Sequence, residues 1–120
     1  MNLADLDMNV HDGLLLARVA GEIDLSNASA IRSSLMREMS NDLLGLVLDL
    51  TEVEYLDSAG IRVIFELRED LATRGQEMRL VVPEGSLVSR TLELVDASSA
   101  VNYAPNADSA LAELSGSPES

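Results

Sequence analysis

Leu46-Val47-Leu48-Asp49-Leu50, then a loop from Thr51 to Asp57, then Asp57-Ser58-Ala59-Gly60 and a helical pattern opening at Ile61, is the stretch that decides the fold. The near-continuous apolar run is the pattern of a central parallel strand covered on both faces. Beyond it Ile61, Ile64, Phe65, Leu71 and Ala72, with the stem of Arg68, recur at helical spacing, and Gly75 is placed to end the helix. Arg62, Glu66, Glu69 and Arg74 are left for solvent or a partner. Ser58 thus puts a hydroxyl where a helix begins, among unpaired backbone N–H groups and at the positive end of the dipole, where a phosphate is tolerated. Serine is also a preferred helix N-cap, so Ser58 reads either as a cap or as a switch.

Working toward the N-terminus, Leu6, Met8 and Val10 alternate with Asp5, Asp7 and Asn9, the period of a half-exposed strand. His11-Asp12-Gly13 reads as a turn, and Leu14 to Ala20 as a second strand forming an edge hairpin with the first. Gly21-Glu22-Ile23-Asp24-Leu25 reads as a loop, after which Ser26 or Asn27 can cap a helix carrying Ala28, Ile31, Leu35 and Met39 on one face. Toward the C-terminus, the pattern predicts a strand at Met78 to Val82 stopped by Pro83. A short helix capped by Ser86 and ending near Val95 follows, then a strand at Val101 to Tyr103 and a helix at Asp108 to Leu114.

Strands alternating with helices after a hairpin imply an α/β sandwich: a mixed sheet of four to five strands packed with about four helices. Residues 1–114 are expected to form one domain and residues 115–120 a flexible tail. Sites in open sheets gather at the carboxyl ends of strands. The segments at 21–25 and 51–58 both leave strands at such ends, which makes Asp24 and Ser58 candidate neighbours.

Composition excludes several function classes. The net charge is −13 and all eight basic residues are arginine, so no basic stripe is available to track phosphates, and nucleic acid is not an expected partner. One Phe, two Tyr and no Trp leave little for base stacking. An anionic membrane surface would be repelled, no apolar run approaches the roughly 18 residues of a membrane span, and the acidic start Met1 to Asp7 lacks the charge pattern of an export signal. A cytoplasmic protein is expected. There is no cysteine for disulfides or thiolate metal sites.

Enzyme chemistry finds no machinery. A serine hydrolase also exposes serine at a strand-to-helix turn, but His11, the single histidine, lies in an edge turn, and the glycines of a nucleophile elbow are missing. Glu52 and Glu54, and likewise Glu66, Glu69 and Asp70, have no His or Cys partners at ligand spacing and read as solvated faces. No Gly-rich loop ending in Lys-Ser or Lys-Thr is present. No catalytic residue, metal ligand or cofactor is expected.

Two anchors, Gly21-Glu22-Ile23-Asp24-Leu25 and Val47-Leu48-Asp49-Leu50 running through Tyr55-Leu56 to Asp57-Ser58-Ala59-Gly60, resemble the STAS domains, and among them the small anti-sigma factor antagonists. The order of elements agrees over about residues 4–114. The resemblance implies that Ser58 is phosphorylated by an anti-sigma factor that is itself a serine kinase, that the unphosphorylated form binds this partner and frees a sigma factor, and that a serine phosphatase reverses the modification. Asp24 matches an acidic position of the family near the phosphorylation site; its plain alternative is a loop carboxylate or helix cap. The implied partner surface comprises Glu22, Asp24, Tyr55, Asp57, Ala59, Gly60 and Arg62, with Val53 and Leu56 contributing to its apolar centre or, for Leu56 in particular, to the core beneath. Position 59 often carries a second hydroxyl in the family and position 62 often glycine; here they are Ala59 and Arg62. The alternative within the family is a constitutive scaffold subunit, in a stress-sensing complex or beside a lipid-transport ATPase, with no phosphate cycle.

Overall fold

In the computed structural model, which describes residues 4–94 and 102–115, nine elements follow in order. They are β1 (Ala4–His11), β2 (Leu14–Ile23), α1 (Ala28–Glu38), β3 (Gly45–Leu56), α2 (Ser58–Thr73), β4 (Glu77–Val81), α3 (Leu87–Leu94), β5 (Asn102–Ala104) and α4 (Ala107–Ser115). The sheet order is β1-β2-β3-β4-β5; β1 and β2 are antiparallel and every later pair is parallel. The hairpin closes at Asp12-Gly13, both with positive φ (52° and 80°), the conformation that matches a two-residue turn to strand twist.

Because each parallel step moves the same way across the sheet, crossovers of constant hand place their helices on one face. Accordingly Ile31 and Leu35 of α1, Ile64, Leu67 and Leu71 of α2, and Val88 and Leu92 of α3 share one core with Leu15, Leu46, Leu48 and Leu80. Helix α4 follows the last strand and covers the other face, where Ala110, Leu111 and Leu114 meet Leu16, Val47 and Val81. Leu46 and Val47 therefore belong to different cores, as period-2 alternation demands. Of residues 115–120, read as a tail, Ser115 instead ends α4 and 116–120 lie outside the described residues, as do Val95 and Val101.

Three expectations are corrected. Residues 21–23 and 51–56 are strand rather than loop: β2 runs to Ile23 and β3 to Leu56, paired to the end. Between the pairs Arg18↔Asp49 and Glu22↔Tyr55 the register slips twice, so four steps on β2 (18 to 22) face six on β3 (49 to 55). Bulges of this kind abolish the alternation that marks a strand. Leu50, Val53 and Leu56 are buried at every third position, with exposed residues between. Helix α2, secondly, starts at Ser58 rather than Ile61, and its buried face is Gly60, Val63, Ile64, Leu67 and Leu71. Ile61, Phe65 and Arg68 are only half-buried and Ala72 is exposed. Thirdly, neither Ser26 nor Asn27 caps α1 with its side chain. The Ser86 cap is present, accepting from the Ser89 amide at 3.1 Å.

Candidate functional site

Strand β4 pairs with β3 only as far as Asp49 and β1 with β2 only as far as Gly21, so beyond the pair Gly21↔Val53 β2 and β3 project as a short two-stranded ribbon. The ribbon ends at the pair Ile23↔Leu56, and the chain leaves it in two segments, one into α1 and one into α2. Asp57 binds the two together. It is the N-cap of α2: its Oδ1 accepts from the Ala59 amide at 2.9 Å and the Gly60 amide at 3.1 Å. Its Oδ2 accepts from the Leu25 amide at 3.2 Å, and its own amide donates to the Ile23 carbonyl at 3.2 Å.

The segment facing it is held from within. Asp24 Oδ1 accepts from the Ser26 amide at 2.9 Å and the Ser26 hydroxyl at 2.6 Å, closing a local turn. Asn27, buried, accepts from the Asp24 amide at 3.0 Å through Oδ1 and donates to the Glu22 carbonyl at 2.8 Å through Nδ2. Asn27 is thus a brace for this segment rather than a cap, a role its position in the sequence did not announce.

Ser58 is the first residue of α2, exposed, and its hydroxyl has no hydrogen-bond partner among the described residues. With Asp57 as the cap, the structural reading of this serine loses its basis. Ala59 is half-buried behind it. Gly60 is buried where α2 meets the ribbon; a Cβ there would lie 2.5 Å from Leu56 Cδ1 and 2.9 Å from Ile23 Cγ2. Of the residues expected at a partner surface, Gly60 thus brings close packing and no side chain. Leu56 is core, as its plain alternative had it, and so is Val53.

The exposed members of the set are Glu22 and Tyr55, paired with each other across the ribbon, and Arg62 one turn into α2. Tyr55 is 45% exposed, and Leu25, which the sequence did not single out, is 82% exposed. Ser58, Ile61, Arg62, Phe65, Glu66 and Glu69 line a shallow depression of about 360 Å³ on α2. A second hollow of about 200 Å³ lies between α1 and α2, with Leu25, Arg32, Ala59 and Arg62 in its wall. Arg32 spans these helices to Glu66 and Asp70. The site therefore offers apolar side chains, an acidic ribbon end and the free hydroxyl of Ser58.

His11 ends β1, opposite Leu14 at the start of β2, and Ser58 follows the far end of the β2–β3 pair. Ten residues of strand separate the two ends, about 30 Å at the usual rise, so no histidine can serve this serine as a base. Among the described residues no group of three or more His, Cys, Asp or Glu is placed to hold a metal ion, and no helix is long and apolar enough to cross a membrane.

The STAS domain family model matches residues 5–110. The anti-sigma-F factor antagonist RsfB of Mycobacterium tuberculosis is 31% identical over 86 residues, which are 71% of this chain and 68% of that protein. An anti-sigma factor antagonist from Mycobacterium paratuberculosis superimposes with a TM-score of 0.83 at 25% identity, covering 92% of this chain and 93% of the other. The anti-sigma factor antagonist SpoIIAA in its unphosphorylated form shares the fold, with a TM-score of 0.78 at 14% identity over 96% of this chain and 100% of that one.

Proposed function

The chain belongs to the STAS domain family, and from that membership we propose that it is an anti-sigma factor antagonist whose docking is switched by phosphorylation of Ser58. The observation that carries this reading is the state of the Ser58 hydroxyl, exposed and unbonded at the head of a helix that another residue caps. A serine relieved of its structural duty is open to modification. The relative from Mycobacterium tuberculosis, an anti-sigma-F factor antagonist by name, supports the choice of partner class.

The partner is an anti-sigma factor that is also a serine kinase. It docks on the ribbon end and the first turns of α2, over Tyr55, Leu25 and Ala59, with Glu22, Asp24 and Arg62 supplying charge at the rim. Asp57 and Gly60 act beneath this surface: one sets the relative position of the two segments, the other allows α2 to approach the ribbon. In the phosphorylation step Ser58 Oγ bonds to the γ-phosphorus of the kinase's ATP, the bond to the ADP oxygen breaks, and the hydroxyl proton passes to a base on the kinase. A serine phosphatase reverses it by hydrolysis. Docking of the unmodified form frees a sigma factor; the chain itself is a binding module, not an enzyme, and acts in the cytoplasm as one domain over residues 1–114.

Phosphorylation adds about −1.5 to −2 charges. Against a partner carboxylate roughly 5 Å away at an effective dielectric near 40, repulsion costs about 2–3 kcal/mol, on the order of a hundredfold in affinity. The test is a pull-down with wild type, Ser58→Ala and Ser58→Asp from the native host, with the recovered kinase then incubated with ATP and the chain. Alanine retaining the anti-sigma factor, aspartate losing it, and phosphate found on the Ser58 peptide are the expected results. Equal capture by all three variants, or an unmodified Ser58, overturns the switch and leaves the constitutive scaffold.

A further inference from the structure

Asp57 deprives a phosphate on Ser58 of the shelter a helix start ordinarily gives. The Ala59 and Gly60 amides already donate to the Asp57 carboxylate, and the Ile61 amide donates to the Asp57 carbonyl at 3.0 Å. Of the first-turn N–H groups only that of Ser58 itself has no acceptor among the described residues. A dianion here also faces Asp57 one residue back and Glu66 and Glu69 along the depression that opens beside it. Its countercharge must come from a side chain.

Arg62 is the cation in place. It lines the same depression as Ser58, is exposed, and forms no ion pair among the described residues. Arg32 is held by Glu66 and Asp70, Arg18 by Asp49, and Arg79 by Glu77 and Glu113. Residues four apart on a helix have Cβ atoms about 5–6 Å from each other, and an anion followed by a cation at that spacing is the favoured order. Long helical side chains lean toward the N-terminus, which carries the guanidinium of residue 62 toward residue 58. Its planar fork matches two phosphate oxygens.

We propose that Arg62 clamps the phosphate of phosphorylated Ser58 in cis. Resting on the reading of Ser58 as the modified residue, this makes Arg62 a positioning residue with two states. In the unmodified chain its guanidinium is free to meet a partner carboxylate at the rim of the docking surface. After modification it is occupied. One phosphoryl group therefore changes the surface twice, adding an anion at position 58 and withdrawing a cation at position 62, and it fixes the phosphate over the first turn of α2.

The experiment installs phosphoserine at position 58 of the full chain during translation, so that no kinase is needed, and follows the phosphate by phosphorus NMR as pH is varied in wild type, Arg62→Gln and Arg62→Lys. The other charges around the start of α2, Asp24, Arg32, Asp57, Glu66 and Glu69, are common to all three. In wild type the second phosphate pKa, about 6 in an unpaired phosphoserine, is expected to lie about half a unit or more below that of Arg62→Gln, roughly threefold in proton affinity. Arg62→Lys falls between, keeping the charge without the fork. The difference shrinks at high salt. The Arg62 Nε–H resonance of the wild-type chain, compared with and without the phosphate, gives a readout needing no variant, and it is expected to shift. Equal pKa values in wild type and Arg62→Gln, or an unmoved Arg62 resonance, overturn the clamp while leaving the Ser58 switch standing. A kinase that ignores Ser58 sinks the switch and does not alter the titration.

Discussion

Replacing Asp57 by alanine removes three hydrogen bonds at once: those from the Ala59 and Gly60 amides at the head of α2, and the one from the Leu25 amide that joins the two exit segments. Loss of an aspartate N-cap costs about 1 kcal/mol. The Leu25 bond is exposed, and its loss adds about 0.5–1 kcal/mol. For a chain of 120 residues, with an unfolding entropy of about 2.1 cal/mol/K per residue, each kcal/mol lowers Tm by about 4 °C. Asp57→Ala should therefore melt about 6–8 °C below wild type. Asp57→Asn separates the two parts: its amide oxygen still caps, but the NH₂ that replaces Oδ2 cannot accept from Leu25, so the expected loss is about 2–4 °C. Ser58→Ala, which removes a hydroxyl with no partner, should stay within about 2 °C. The assay is thermal unfolding by far-ultraviolet circular dichroism at pH 7. A melt for Asp57→Ala within 1 °C of wild type, or Ser58→Ala costing as much as Asp57→Ala, would refute the assignment of the cap and with it the argument that Ser58 is free.

Gly60→Ala gains helix propensity of about 1 kcal/mol but forces Leu56 and Ile23 apart, at about 1–3 kcal/mol of overpacking; a net loss of about 1 kcal/mol in urea unfolding is expected, and a stabilised variant would show that α2 can stand off the ribbon. Leu25→Ser, at an 82% exposed position, should leave stability within about 0.5 kcal/mol while lowering affinity for the anti-sigma factor about fivefold or more in calorimetric titration; unchanged affinity would place the docking surface elsewhere. Partner affinity should fall as salt is raised, since the chain carries a net charge of −13, and a dissociation constant that ignores salt removes the electrostatic part of recognition. Arg32→Met, which breaks the bridges to Glu66 and Asp70, should cost under about 1 kcal/mol, as partly exposed pairs do; a loss above 2 kcal/mol would mean that the α1–α2 contact depends on them.

Most of the fold is legible because its parts repeat at their own period. The hairpin shows in Leu6 and Met8, the central strand in the run Leu46 to Leu50, and α1 in Ala28, Ile31 and Leu35, all buried or half-buried as the spacing requires, while Val10, next to the hairpin turn, is 60% exposed. Legibility failed where the period failed. The bulged half of β3 buries every third residue, which resembles neither a strand nor a helix, so it passed for a loop. In α2 the residues 63–65 and 67 are all apolar, so more than one stripe fits the pattern, and packing against both α1 and the sheet selects Val63 and Leu67.

The sequence by itself determined the order of elements, the acidic surface, the absence of lysine and cysteine, and the presence of a serine at a strand-to-helix junction. From the local pattern Ser58 alone reads as the cap candidate, although Asp57 beside it is equally of a type that accepts from backbone amides. Which of them does so was decided by the tertiary structure. Asp57 alone carries two oxygens, and the second meets the Leu25 amide, a group 32 residues away along the chain that only the pairing of β2 with β3 brings within reach. A hydrogen bond between distant segments leaves no trace in local spacing, and through it the hydroxyl of Ser58 is left exposed and unbonded.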